Sequence, residues 1–436
     1  MAHIVNGLSG RVRFTVPDGW AVQESPRPEV ESLAYLEGPE GSFAPNAVLT
    51  LNEYEGGISE FMVNAVDGLL NALEDVFVID IDAWSPAMRA DAGFAGTGRM
   101  ISYTHRSPET GARVRATEWL LAGSGLAVQL TTSAGVGQWP VFGDTFMQIA
   151  DSLEFTRGDR LPAANPIPAT ALDEPASAAA GIEMERIHGL AAVQDYPWEE
   201  GSWLTGSAVA LFAELAQGGR VGRFMLRGAA RELEQLSALG LVEGSALTES
   251  GDGLADFLRE PSAAVRIGAD REEQEAAFQA WIHGPAVLIV ADPFGEPEDP
   301  TVGRTNLMVA PLVDLSTLMA RWVGLQPAWN LPIAPTTIDG EGLATSATGR
   351  PGLPEDANPA LRALWEEPWT VWHLFAQGPE SEVGPVPYLN GGRSGHLIMV
   401  PDEEGLNLFP AKSRTVFDNF EEVIQASIYG RIARIA

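Results

Sequence analysis

Ser394 lies in GGRSGH, the nearest approach in this 436-residue chain to a Gly-x-Ser-x-Gly nucleophile elbow. That motif raises a serine on a sharp strand-to-helix turn. Here Gly395 follows the serine directly and His396 stands where the second glycine belongs, so the stretch reads as a polar turn entering the strand HLIMV. The enzymatic alternative is a hydrolase with a dispersed site, Ser394 with His396 or His373 and a remote carboxylate, because triads are defined by geometry and not by chain order.

Asp80 and Asp82 in DIDAW have the spacing that aspartyl phosphatases use for nucleophile and acid. Trp84 occupies the place where those enzymes carry Thr or Val, so the two acids read as a pair on a solvated strand face. ADPFGEPEDPT brings Asp292, Glu296, Glu298 and Asp299 together. The spacing fails the calcium-loop pattern and the prolines restrict convergence of the carboxylates, which predicts an acidic surface loop. The six histidines (His3, His105, His188, His283, His373, His396) are scattered without ligand spacing, and His373 inside TVWHLF reads as a core residue. Gly93, Gly96 and Gly98 precede a strand, so no helix N-terminus faces a pyrophosphate. The only lysine, Lys412, sits in PAKSR and fits neither a Walker loop nor a kinase strand. No metal site, no cofactor and no catalytic residue are expected.

The formal charge is -32, from 27 basic and 59 acidic side chains. Such a field repels phosphate backbones and anionic lipid surfaces, so nucleic acid is not an expected partner. LEQLSALGLVEGSALTESGDGLADFL has the helix, turn and helix order of a winged-helix reader. Between Arg231 and Arg259, however, those two arginines are the only basic residues, and phosphate contacts are missing. Cysteine is absent, which excludes disulfides and thiolate metal sites. No apolar run reaches the ~20 residues of a membrane span, and the N-terminal MAHIVNGLSG lacks the pattern of a signal peptide. A cytoplasmic protein without membrane insertion is expected.

Chemistry thus recedes and binding residues come forward. Of twelve tryptophans, Trp365, Trp369 and Trp372 cluster in LWEEPWTVW, and Trp322 and Trp329 bracket VGLQPA. Tryptophan is a favoured hot-spot residue and proline-flanked loops expose side chains. These five are the expected partner-binding residues.

Two parts carry these residues. GDRLPAANPIPATALDEPASAAAG lacks periodicity and reads as a Pro/Ala-rich linker over residues 158–182. It separates a domain over 1–157 from one over 183–436, the latter open to subdivision near 350. In the first, RVRFTV and NAVLTLNEYEGG read as strands. A helix then follows with Ser59 as N-cap and an apolar stripe of Met62, Val66, Leu69, Leu70 and Leu73. Strand patterns recur in FVIDIDAW, GRMISYTHR, RVRATEWLLAG and GLAVQLTTSA. A closing helix has Thr145 and Gln148 at capping-box spacing and Phe146, Ile149 and Leu153 as its buried stripe. This order predicts an α+β sandwich of antiparallel sheets. The second part reads as three helices, then strands led by AAVRIGA and AVLIVADP, and a terminal helix. It predicts a larger α+β domain with a central sheet and flanking helices.

The first part resembles the PsbP-like fold, found in LpqN-type bacterial lipoproteins and in effector-binding chaperones of type VI secretion. VRFTVPDGW, the helix after YEGG and FMQIADSLEF carry that likeness. The second part resembles the EspG family of cytoplasmic type VII secretion chaperones, through ELEQLSALGLVEGSALTESGDGLADFLREPSAAVRI and AVLIVADP. Its tail, GHLIMVPDEEGLNLFPAKSRTVFDNFEEV, is also similar to SseB-like domains. These resemblances imply a non-catalytic, secretion-associated chaperone or adaptor whose partner is an apolar helical protein, a secreted substrate. A structural component of a secretion or phage particle is a third reading.

Overall fold

The computed structural model describes residues 2–23, 30–39, 42–84, 98–123, 125–155, 190, 194–218, 228–271, 274–294, 301, 303–327, 336–338, 352–353, 357, 359–401 and 405–430. The expected linker over 158–182 and the expected division near 350 lie outside these residues. The fold is α+β.

Period-two alternation builds the first half. β1 (His3–Asn6) pairs with β2 (Val12–Val16), whose Val12, Phe14 and Val16 are fully buried. β3 (Ala21–Gln23), β4 (Val30–Tyr35) and β5 (Asn46–Glu53) follow, then helix α1 (Ile58–Ala72). β6 (Glu74–Trp84), β7 (Gly98–Arg106), β8 (Arg113–Gly123) and β9 (Leu126–Gly135) form successive antiparallel pairs, and helix α2 (Trp139–Asp151) and β10 (Glu154–Phe155) close the half. Seven strands make one sheet in the order β3-β4-β5-β9-β8-β7-β6, and β1-β2-β10 makes a second. α2 and the small sheet cover one face, through Phe146, Ile149 and Phe14 against Trp119 and Leu130. α1 covers the other, through Met62, Val66 and Leu69.

Two helix starts differ from expectation. α1 begins after Gly57, so Ser59 falls inside the first turn. α2 begins at Trp139 with Pro140 in its first turn, where a missing N–H costs nothing. Thr145 and Gln148 are therefore interior and make no capping box.

The second half has one large antiparallel sheet. Its elements are β11 (Ser202–Thr205), α3 (Gly206–Gly218), α4 (Ala230–Ala238), β12 (Val242–Glu243), β13 (Ala246–Leu247), α5 (Glu249–Arg259), β14 (Ala263–Arg271), β15 (Gln274–His283), β16 (Ala286–Ala291) and β17 (Arg304–Pro311). These are followed by α6 (Leu315–Trp322), β18 (Thr336–Ile338), α7 (Pro359–Glu366), β19 (Thr370–Gln377), β20 (Glu382–Asn390), β21 (His396–Pro401), β22 (Leu406–Ala411) and α8 (Ser413–Tyr429). The ten-stranded order is β11-β17-β16-β15-β14-β19-β20-β21-β22-β18. β14 pairs with β19, so strands before and after residue 350 share this sheet. The α3–α5 unit packs closely: Thr248 caps α5 through Gly251 N–H, and a Cβ on Gly251 would fall 1.9 Å from the Leu241 carbonyl oxygen.

α6 and α8 cover the inner face of this sheet, with Val416, Phe417, Phe420, Leu315 and Met319 against Ile267, Phe278 and Trp372. Their far sides meet the seven-stranded sheet, where Phe77 stacks on Phe417 at 6.2 Å between centroids. Ion pairs stitch the contact. Arg113 Nε donates to Asp314 at 2.8 Å, Arg321 donates to Asp75 at 2.8 Å, and Lys412 pairs with Asp82. The two halves thereby share one interior. No helix among the described residues is long and apolar enough to cross a membrane.

Candidate partner-binding face

On the outer face of the large sheet, residues line up in register across three strands. Ala264 of β14 faces Trp281 of β15 and Gln377 of β19, Arg266 faces Gln279 and Phe375, and Gly268 faces Ala277 and His373. Their alternate neighbours Val265, Ile267, Phe278 and Leu374 are buried on the inner face. The outer rows are half-buried or exposed, and Phe375 retains 40% of its surface.

Among the described residues, helices cover this outer face at both ends and leave it bare between. At one end α3 and α5 pack Leu211, Leu215 and Ala255 over Leu288, Val290 and Leu307. At the other, α7 sets Leu361 and Leu364 over Val371, Leu389 and Leu397. The bare strip between them holds two adjoining hollows of about 630 Å³ and 300 Å³, which share Arg266 and Phe375. Its floor is small and partly apolar, with Ala264, Gly268, Ala277 and Pro385 among the lining residues.

One end of the strip is acidic. Asp270 and Glu275 face each other in the β14–β15 ladder, an arrangement in which like charges repel. Partial burial raises the Asp270 pKa, Glu275 raises it further, and His373 opposes the shift. Asp292, which also lines the strip, is spent on structure: it accepts from Thr305 Oγ1 at 2.7 Å and from Ala277 N–H at 3.1 Å.

Four of the five expected binding tryptophans are described, and these lie outside the strip. Trp322 is 5% exposed and donates to the Asp292 carbonyl at 2.9 Å. Trp369 is 2% exposed and donates to the Leu364 carbonyl at 2.8 Å. Trp372 is fully buried, stacked on Tyr388 with centroids 4.1 Å apart. Proline-flanked loops do not expose these three, because each ring fills the core beside a helix or strand. Trp365 is half-buried edge-on to Trp369, and Trp329 lies outside the described residues. The strip's own residues carried a faint sequence signal, namely small or polar residues at every second position of AAVRIGADR.

Of the residues in the dispersed hydrolase reading, Ser394 and His396 are 4% and 3% exposed and the two histidines lie on opposite faces of the sheet. His396 contacts the ring of Trp372, whereas His373, the next residue, points to the opposite face of the sheet and lines the strip. Burial pushes the His396 pKa down to about 3. Asp80 and Asp82 are 4% and 8% exposed, not solvated. They sit on β6, the sheet's edge strand, and accept from the edge N–H groups of Ile81 at 3.0 Å and Ala83 at 2.9 Å. Burial, reinforced by Asp82, raises the Asp80 pKa to about 7. Glu296, Glu298, Asp299, Gly93 and Gly96 lie outside the described residues. In the winged-helix-like segment, Arg259 is tied to Asp252 and Asp256 at 2.8 and 3.1 Å.

No known family profile matches the chain, and no curated protein sequence matches it. Partial likenesses exist among solved structures. Cyanobacterial PsbP from Synechocystis is similar over 35% of this chain and 92% of its own, at 12% identity and TM-score 0.27. LpqN of Mycobacterium tuberculosis, involved in cell envelope biogenesis, is similar over 36% and 91%, at 17% identity and TM-score 0.27. EspG5, a type VII secretion chaperone of the same organism solved in complex with a PE25–PPE41 dimer, is similar over 53% and 98%, at 14% identity and TM-score 0.34.

Proposed function

We propose that this chain is a non-catalytic, secretion-associated chaperone or adaptor that shelters an apolar helical segment of a protein partner. One observation carries the reading: among the described residues, the outer sheet face is roofed by helices at both ends and bare between them. Strands lie about 4.8 Å apart, so β15, β14 and β19 span roughly 10 Å, and a helix with its side chains is about 10–12 Å wide. The gap accepts one helix.

The floor fits that occupant. A glycine inside a strand weakens it and commonly marks close approach by another backbone. A Cβ added to Gly268 would meet nothing within 4 Å, so no contact within the described residues requires glycine there. A partner helix would lay its apolar stripe on Phe375, Trp281 and Pro385, with a basic residue over Asp270 and Glu275. The type VII setting and a cytoplasmic place of work come from the sequence resemblance.

The test is photo-crosslinking in the native host, with benzoylphenylalanine replacing Phe375 or Arg266 in the strip, or the 71%-exposed Tyr429 at the end of α8 as control. Phe375 and Arg266 should yield one adduct with a helical protein, absent from the Tyr429 position and unchanged by Ser394→Ala. Adducts equal at all three positions, or none from the strip, would overturn the reading.

A further inference from the structure

The bare strip carries its charges in a fixed order along β14. Among the described residues, Arg266 is the only lysine or arginine lining either hollow. It is exposed in the middle of the strip, between Gln279 and Phe375, and makes no hydrogen bond or ion pair with any described residue. Acidic side chains outnumber basic ones 59 to 27 in this chain, yet none of those described is set against it. Asp270 and Glu275 form the row at the acidic end. No described lysine or arginine pairs with either, and facing carboxylates repel across a ladder. Two further acids line the hollows outside this order: Asp292 is spent on Thr305 and the Ala277 N–H, and Glu382 belongs to β20, beyond the three floor strands.

The two helical roofs cover strands on either side of the floor, so the gap runs along β14. Arg266 and Asp270 stand on one face of that strand. A strand rises about 3.4 Å per residue, which puts their rows roughly 14 Å from one another. A helix rises about 1.5 Å per residue and covers that distance in about nine residues. The same-face positions of a helix nearest to this are about seven and eight apart, and the long side chains of arginine and lysine take up the difference. Gly268 lies between the two charged rows, where a close backbone needs room.

We infer that the sheltered helix carries a carboxylate over Arg266 and, about seven or eight positions away on the same face, a lysine or arginine over Asp270 and Glu275. This charge register rests on the sheltering reading and specifies its partner. An uncharged stripe would leave three charges facing a helix with water displaced and no counter-charge gained, which is costly. Opposite charges in that order would also fix where along the gap the helix stops.

Fluorescence anisotropy with the full chain at 0.15 M salt, where charges more than about 8 Å apart are largely screened, tests the register. The probes are three labelled, capped helical peptides with one leucine stripe, differing only at two positions seven apart: Glu and Lys, Gln and Gln, or Lys and Lys. The Glu/Lys peptide should bind at least tenfold more tightly than the Gln/Gln peptide, and Arg266→Glu should remove that advantage. The Lys/Lys peptide should show the reverse, binding Arg266→Glu at least tenfold more tightly than the unaltered chain. Arg266 is exposed, so the variant should fold, as circular dichroism checks. Equal affinity for the Glu/Lys and Gln/Gln peptides, or a Lys/Lys affinity unchanged by Arg266→Glu, overturns the register and leaves the sheltering reading standing, because a helix still binds. No binding by any peptide overturns the register as well, and the crosslink in the host then decides the sheltering reading by itself.

Discussion

Arg115 Nη1 donates to Glu421 Oε2 at 2.6 Å, joining residues 306 positions apart across the contact between the two halves. Arg115 is fully buried and held between the rings of Trp139 and Phe417. Removing it would leave Glu421 buried without a counter-charge. Arg115→Ala should lower stability by about 3–5 kcal/mol, whereas joint replacement of Arg115 and Glu421 by leucine should cost much less. Urea unfolding checks this, and both variants should unfold in one transition if the shared interior couples the halves.

Glu118 is buried, with Tyr103 O–H donating to its Oε1 and its Oε2 unpartnered among the described residues. Burial raises its pKa from 4.5 to about 7. A carboxyl raised in the folded state favours folding fully below its unfolded pKa and loses that contribution as pH rises through the folded one. Wild-type stability should therefore decline between about pH 4.5 and 7, by up to roughly 3 kcal/mol from this group. Asp80 acts in the same sense. Glu118→Gln should flatten the decline and be more stable than wild type at pH 8, as read from denaturation midpoints across pH.

Lys412, the only lysine, pairs with Asp82 on β6. The lysine is 45% exposed and Asp82 only 9%, so the loss falls on the aspartate. Lys412→Met should cost about 1–2 kcal/mol by stranding that carboxylate. Adding Asp82→Asn should recover most of it. A double-mutant cycle by thermal denaturation measures the coupling.

Gly268 separates folding from binding. A Cβ there meets nothing within 4 Å among the described residues, so Gly268→Leu should change stability by no more than about 0.5 kcal/mol. The same side chain would stand where the proposed partner helix lies. Gly268→Leu should abolish the crosslink from Phe375 while leaving the thermal midpoint within a few degrees of wild type.

Much of the fold was legible in local pattern. Alternation in RVRFTV marked a strand, AAVRIGA read as another, and the stripe of Met62, Val66 and Leu69 marked α1. Helix starts were less legible, because Ser59 and Thr145 have the chemistry of caps but lie inside helices that begin earlier, at Ile58 and Trp139. The candidate site was hardly legible. Tryptophan type suggested a surface, yet Trp322, Trp369 and Trp372 fill the core. Their burial depends on α6, α7 and α8 packing over strands distant in sequence.

Local pattern and composition were enough to set the periodicity of the elements, the acidity, and the absence of thiol chemistry and of an intact elbow around Ser394, since each is a property of neighbouring residues or of the residue count. Long-range packing alone buries Asp80 and Asp82 at a sheet edge, brings Arg115 to Glu421 and, among the described residues, leaves the row through Gly268 uncovered. Alternation says which side chains share a face; what lies against that face is set by segments hundreds of residues away.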